Sequence, residues 1–236
     1  MIEKKIRLQK FLSEYGHCSR REAEKSIEHG EIIINGALAT LGDKVSIEDT
    51  IIIKGKKFIA KKEKKIVLAF HKPVGTECTL QKSDEVQTLR DFQFPGKHVF
   101  PIGRLDKDSH GLLLMTNDGD LSNKLAHPSY KHQKEYIVVT SKSLTKDHLE
   151  QLGNGSIKIN HRKVLPCTVK QLEHNVFSII LTEGKNRQIR RMCKELGLKV
   201  MELLRIRIEN IMLGEIKSGR WRHVNESEMQ RLLQTK

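Results

Sequence analysis

The chain has 236 residues, with 43 Lys and Arg against 29 Asp and Glu, a formal net charge of +14 and 37% hydrophobic residues. That length allows a small domain followed by a medium one, with enough apolar chain to bury a core. The basic excess points to a polyanionic partner, and the sequence excludes a membrane span, because no apolar run approaches the roughly 18 residues a bilayer needs.

Leu8, Phe11, Leu12 and Tyr15 recur at i, i+3, i+4 and i+7, which predicts a helix ended by Gly16. "SRRE" at 19–22 is a capping box opening a second helix, with Ala23 and Ile27 inward and Gly30 as stop. "EIIING" predicts a strand entering an Asn35-Gly36 hairpin turn, and "TIII" at 50–53 another strand. Arg7, Lys10, Arg20, Arg21 and Lys25 fall on the two helices, as a solvated face or as an RNA-binding one. Residues 54–65, "KGKKFIAKKEKK", carry seven lysines and one acid. They read as a solvated boundary, or as a Lys-rich strand edge. The expected division is 1–60, a linker at 61–65, and 66–236.

Beyond 65 the strand candidates are "IVLAF", "KEYIVVT" (134–140), "VFSIILTE" (176–183) and "LKVMELLRIRI" (198–208), with helices near 119–126 and 145–152. Several strands with few helices predict an α+β domain on one sheet. Residues 83–98 carry no clear signal. The basic excess is shared: 15 basic and 10 acidic groups up to residue 65, then 28 and 19. Cys18, Cys78, Cys167 and Cys193 show no C-x-x-C pairing, so neither a zinc site nor a disulfide framework is indicated. No signal core is seen in "MIEKKIRLQKFL", and a cytoplasmic setting is expected, with RNA or DNA as the leading partner.

Two segments are candidates for chemistry. On a helix, "EGKNRQIRRMCKELG" (183–197) places Arg187, Arg190, Arg191 and Lys194 in one stripe opposite Ile189, Met192, Cys193 and Leu196. That is either an ordinary surface helix or a phosphate-binding face. In "PIGRLDKDSHGLLLMTNDGDL" (101–121), Arg104, Asp106, Lys107 and Asp108 precede an apolar run. Asp106 could belong to a structural ion pair. It could open a calcium loop, although Asn117 stands where the bidentate Glu belongs. Or it could be a catalytic carboxylate at the lip of a buried strand.

Residues 6–53 resemble an S4 RNA-binding domain, departing from it at "IED" (47–49), where such domains usually carry a Gly before the Asp. The segment "GRLDKDSHGLLLMTNDGDL" resembles the catalytic motif of RsuA-like ribosomal pseudouridine synthases. In the same order, "HKPVG" (71–75), "KEY" (134–136), "LTEGKNRQIRRM" (181–192) and "LLRIRIENIMLGEIKSGRWR" (203–222) resemble the family's other motifs, closest to the branch that acts on large-subunit rRNA (RluF-like).

The resemblance implies a small S4-type module followed by a catalytic domain with a mixed, mainly antiparallel sheet and flanking helices. It implies isomerisation of uridine to pseudouridine in RNA, most directly 23S rRNA and also a tRNA, by a monomer with no cofactor and no metal. Asp106 maps to the essential carboxylate, Arg190 to its guanidinium partner, and Tyr136 to the residue that stacks on uracil. Leu204 is expected as a pocket wall or as plain core. Arg104 is expected to hold the backbone and fill the gap left by the flipped nucleotide. The RNA-contacting stretches implied are Arg104, Leu105 and Lys107, then Asn186, Arg187, Gln188 and Ile189, with Arg191 beside them and the five S4 cations. The alternative is a non-catalytic RNA-binding or ribosome-associated factor that keeps the fold.

Overall fold

The computed structural model describes residues 5–61, 63–96 and 98–234; Lys62, within the expected linker, lies outside the described residues. Contacts divide the chain into two compact units. One runs up to Ile66 and also takes in Pro95–Val99 and Asn117–Gly119; the other holds the rest.

The first unit contains β1 (Ile6–Arg7), α1 (Leu8–Glu14), α2 (Arg20–Glu28), β2 (Ile32–Ile34), β3 (Ala37–Leu38), β4 (Lys44–Val45), β5 (Ile51–Ile53) and β6 (Lys56–Lys57). Leu8, Phe11 and Leu12 of α1 and Ala23 and Ile27 of α2 bury against Ile32, Ile51 and Ile53 of the β3-β2-β5-β6 sheet. The capping box forms as the sequence predicts: the Ser19 hydroxyl accepts from the Glu22 N–H, and the Glu22 carboxylate accepts from the Ser19 N–H. Asn35 (φ 49°) and Gly36 (φ 90°) make the left-handed pair a tight hairpin needs. The Lys-rich run opens as the edge strand β6, where its charges discourage further pairing. Phe58 and Ala60 then pack onto this unit's core. Arg7 is not on a helix, contrary to expectation; it lies in β1 as the residue before α1.

The second unit contains β7 (Val67–Lys72), β8 (Phe100–Ile102), β9 (His110–Thr116), α3 (Gly119–Ala126), β10 (Lys134–Thr140), α4 (Lys146–Gly153), β11 (Lys158–Ile159), β12 (Arg162–Lys163), β13 (Thr168–Glu173), β14 (Val176–Leu181), α5 (Gln188–Glu195), β15 (Val200–Ile208), β16 (Ile211–Met212), β17 (Trp221–His223) and α6 (Glu226–Gln234). Among the described residues nine strands form one sheet in the order β13-β14-β10-β15-β9-β7-β17, with β16 on β15 and β8 on β9. Every pairing in it is antiparallel except β9 with β15. The unit is α+β on a mixed, mainly antiparallel sheet, as expected.

The apolar run after Asp106 now has its reason. β9 is an interior strand covered on both faces, so Leu112, Leu113, Leu114 and Met115 are all fully buried. The charged segment is the loop that delivers the chain to this strand. One face of the sheet packs Val138, Phe177, Ile179 and Leu203 against α4 and α5; the other packs Ala69, Leu112 and Leu114 against α3 and α6. β9 meets β15 through two residue pairs, His110 with Leu204 and Gly111 with Arg205. Gly111 has φ 105°, and a Cβ there would collide with the Arg205 backbone, so only glycine fits the junction.

Candidate active site

Asp106 lies on the loop between β8 and β9, partly exposed at one wall of a cleft of about 480 Å³. The cleft lies wholly within the second unit, and its size suits one planar base with its sugar. Arg104, Tyr136, Arg187, Leu203 and Arg205 line it.

The Asp106 loop is held from two sides. The Ser109 N–H donates to the Asp106 carbonyl, closing a turn over Lys107 and Asp108. Behind it lies the "HKPVG" segment. The Gly75 N–H donates to the Lys107 carbonyl at 2.8 Å, and the Leu105 N–H donates to Cys78 Sγ at 3.3 Å. Lys72, fully buried, stiffens this backing loop by donating to the carbonyls of Pro73 and Thr76, both at 2.7 Å. Burial lowers its pKa, and the charges of Cys78, Asp106 and Asp108 oppose that fall.

On the other side stands the start of α5. Arg187 occupies the N-cap in a left-handed conformation (φ 51°), which turns its side chain back to the loop. It donates to both carboxylate oxygens of Asp108, at 2.9 and 2.8 Å, and lies 3.9 Å from Asp106. The Arg187 fork is the largest influence holding the Asp108 carboxyl below the usual carboxylate range, and Arg190 adds to it against partial burial. Arg190, one turn into the helix, donates to the Asp108 carbonyl (2.7 Å), the Ser109 hydroxyl (3.3 Å) and the Val200 carbonyl (3.3 Å). Arg190, expected as the partner of Asp106, therefore ties the loop's backbone; among the described residues the guanidinium within ion-pairing reach of Asp106 is Arg187. The reason is the helix start: with Arg187 outside α5, only Arg190 is carried on the helix face toward Ser109.

The expected RNA-contacting stretches separate by exposure. Arg104, Lys107, Asn186 and Arg187 are exposed. Leu105, Gln188 and Ile189 are buried, with little side-chain surface to offer RNA. Gln188 instead latches the preceding loop, accepting from the Lys185 N–H and donating to Glu183. Arg191 donates to Asn160 at 2.9 Å. In the other unit Arg7, Arg20, Arg21 and Lys25 are exposed, and Lys10 pairs with Glu14 across one helical turn at 3.3 Å.

The expected wall residue, Leu204, is not on the cleft. It packs on the opposite sheet face with Leu112 and Leu114, and Leu203 lines the cleft instead. Adjacent strand residues point to opposite faces, so a one-residue difference decides the matter. A bulge in β15 sets which face is which: Glu135 faces Arg207, whereas Tyr136 faces Arg205, with Ile206 skipped between them. Arg205 and Lys134 join Tyr136 on the cleft wall and were not singled out from sequence. The signal for Lys134 was its place in "KEY"; for Arg205 no local signal exists.

A mobile base could enter this cleft and find a carboxylate, an aromatic ring and an apolar wall in one place, with exposed cations around the opening. These features define an enzyme that modifies nucleic acid. The family described as RNA pseudouridylate synthase matches residues 66–195, and the S4 domain matches residues 6–51. The chain is 41% identical over 225 residues to the dual-specificity RNA pseudouridine synthase RluF of Escherichia coli K12, covering 95% of this chain and 77% of that one. It is 34% identical over 235 residues to ribosomal large subunit pseudouridine synthase B of Bacillus subtilis, covering 96% and 95%. A crystal structure of a pseudouridylate synthase superposes with a TM-score of 0.70 at 27% identity, over 96% of this chain and 99% of that one.

The chain thus belongs to the RNA pseudouridylate synthase family. It carries an N-terminal S4 domain and isomerises uridine to pseudouridine within RNA.

Proposed function

We propose that Asp106 is the catalytic carboxylate and that the substrate is a uridine in structured large-subunit (23S) rRNA, with a tRNA uridine as a second target. The observation that carries the proposal is the meeting of Asp106, Tyr136 and Leu203 at one base-sized cleft, with the Arg187 guanidinium 3.9 Å from the carboxylate. The target base must leave its stack, at a cost of a few kcal/mol, and cations along the backbone offset that cost. Arg104 and Lys107 are exposed on the same loop as Asp106, which supports a role for them in meeting the flanking phosphates. Tyr136 stacks on the uracil, and the guanidinium of Arg187 flanks the Asp106 carboxylate at 3.9 Å. Arg190 acts by fixing the loop. The reaction is an isomerisation, so its atoms balance with no second reactant.

The ribosomal assignment rests on the relatives' names, "ribosomal large subunit" and "dual-specificity", together with the S4 domain. In this reading the S4 cations grip folded RNA, residues 1–60 act as the binding module and 66–236 as the catalytic domain, and the protein works in the cytoplasm as a monomer.

The test is a map of pseudouridines in rRNA and tRNA from cells with the gene, without it, and with Asp106→Asn. A 23S site lost in both mutants is the expected result. A site that survives Asp106→Asn removes the catalytic assignment, and unchanged maps in all three strains favour the non-catalytic binding factor.

A further inference from the structure

The wall of the cleft that carries Tyr136 is unusual in its charge. On this sheet face Lys134 lies across from Leu181, and Tyr136 from Arg205. Arg205 is 3% exposed, and its guanidinium lies 6.0 Å from the centre of the Tyr136 ring. Its Nε donates to the Leu112 carbonyl at 2.6 Å, whereas its Nη2 is buried with no hydrogen-bond partner among the described residues. Lys134 donates to the His132 carbonyl at 3.0 Å. Among the described residues neither cation has a carboxylate within ion-pairing distance; Glu209 attracts Lys134 only from farther off. Two poorly solvated cations side by side without a paired anion are costly, and folding alone gives no reason to keep them.

The β15 bulge is what creates this wall. Arg205 and Arg207 would share a face on a regular strand. Skipping Ile206 sends Arg207 to the opposite face, where it meets Glu135 at 2.7 Å, and leaves Arg205 on the cleft side without such a partner.

We propose that Arg205 and Lys134 form a cationic wall that holds the uracil ring as the anion it becomes when the glycosidic bond breaks. This rests on the reading of the cleft as the uridine site. When C1′–N1 breaks heterolytically, the bonding pair stays with the ring and spreads over N1, O2, O4 and C5. C5 then bonds to C1′, and the proton on C5 ends on N1, so the uracil is neutral again and nothing is oxidised or reduced. This anion forms when the carboxylate acts at the ribose and the uracil departs as an unmodified ring. A fixed cation against an apolar, water-poor wall stabilises charge that develops there more than it stabilises the neutral base. RNA phosphates are a poorer match. They stay at the surface, where Arg104 and Lys107 are exposed, whereas Arg205 is nearly inaccessible.

The experiment compares full-length wild type with Arg205→Gln, Arg205→Lys, Lys134→Gln and Lys134→Arg. Gln keeps a donor for Leu112 without the charge; Lys keeps the charge. Single-turnover rates at saturating RNA, and Kd over a series of salt concentrations, are read for each. Arg205→Gln is expected to slow turnover about 100-fold, the scale for losing one fixed charge-stabilising donor. Arg205→Lys should recover about tenfold of that loss, with Kd and salt slope unchanged in both. Equal losses in Gln and Lys would mean a purely structural role, and a salt slope reduced by about one would mean a phosphate contact; either overturns the proposal. If Arg205→Gln does not fold, the less buried Lys134 decides. Lys134→Gln should slow turnover at least about tenfold and Lys134→Arg should restore it, and a wild-type rate in Lys134→Gln overturns the proposal. Asp106→Asn, run alongside, separates the two readings: turnover by that variant refutes the site itself, whereas an inactive Asp106→Asn beside a fully active Arg205→Gln refutes only the wall.

Discussion

Arg187 and Asp108 meet fork to fork, with both guanidinium nitrogens on both carboxylate oxygens at 2.8 to 2.9 Å, across 79 residues of chain. This pair sits two residues from Asp106 and joins the loop before β9 to the start of α5. Its side chains are 44% and 45% exposed, so its importance lies in placement more than in stability.

Asp108→Asn should therefore lower the single-turnover rate about tenfold to 100-fold, the scale of a small misplacement of a reacting group. Thermal stability at neutral pH should change by under about 0.5 kcal/mol. The Asp108 carboxyl is held low in the folded state, so its contribution is present above its unfolded pKa and is lost as pH falls through the folded value. The acid arm of the stability curve should be shallower in the variant. A wild-type rate in Asp108→Asn would show that the fork does not place Asp106.

Arg190 and Arg191 are neighbours with different tasks. The Arg190 side chain is 13% exposed and holds three loop or strand oxygens, whereas among the described residues Arg191 donates to the Asn160 side chain alone. Arg190→Ala should reduce turnover by about 100-fold while RNA affinity changes little, because the Asp106 loop loses its anchor. Arg191→Ala should weaken binding and reduce the salt slope by about one phosphate. Identical losses of affinity and of rate per bound complex in the two variants would refute the division.

Glycine matters differently at two positions. Gly75 has φ 85° and open space around its Cβ position, so Gly75→Ala should cost only the left-handed backbone penalty, about 1 kcal/mol. Gly111→Ala adds a collision with the Arg205 backbone where β9 and β15 join, and should cost more than about 3 kcal/mol. Chemical denaturation of both variants checks this; equal losses would show that the junction yields easily.

The alkaline limb of activity should report Lys134. Burial, and then the charge of Arg205, lower its pKa, while Glu209 raises it; His132 offers it only a carbonyl. The protonated form is the one that stabilises an anion, so the rate should fall as pH rises through this depressed pKa. Stability should move the other way, since a buried cation that loses its proton relieves the fold. Lys134→Arg should shift the limb to higher pH, and Tyr136→Phe should leave its position unchanged in whatever activity remains. A limb that moves with Tyr136→Phe and stays put in Lys134→Arg would assign it to the tyrosine.

Local chemistry in the sequence was enough to fix the local structure. The Ser19–Glu22 capping box, the Asn35-Gly36 turn and the spacing of Leu8, Phe11 and Leu12 each depend on residues within a turn or two, and each formed as read. The ordered motifs likewise marked Asp106 and Tyr136, which the fold brings to one cleft. What the tertiary structure decided was direction. Leu203 rather than Leu204 lines the cleft, Arg187 rather than Arg190 lies near the Asp106 carboxylate, and Arg205 parts from Arg207. The physical reason is the same in each case. A strand side chain takes its face from the register and bulges of partners many residues away, and a long guanidinium takes its partner from where its helix begins. Neither is set by the residues themselves until the sheet has closed around β9.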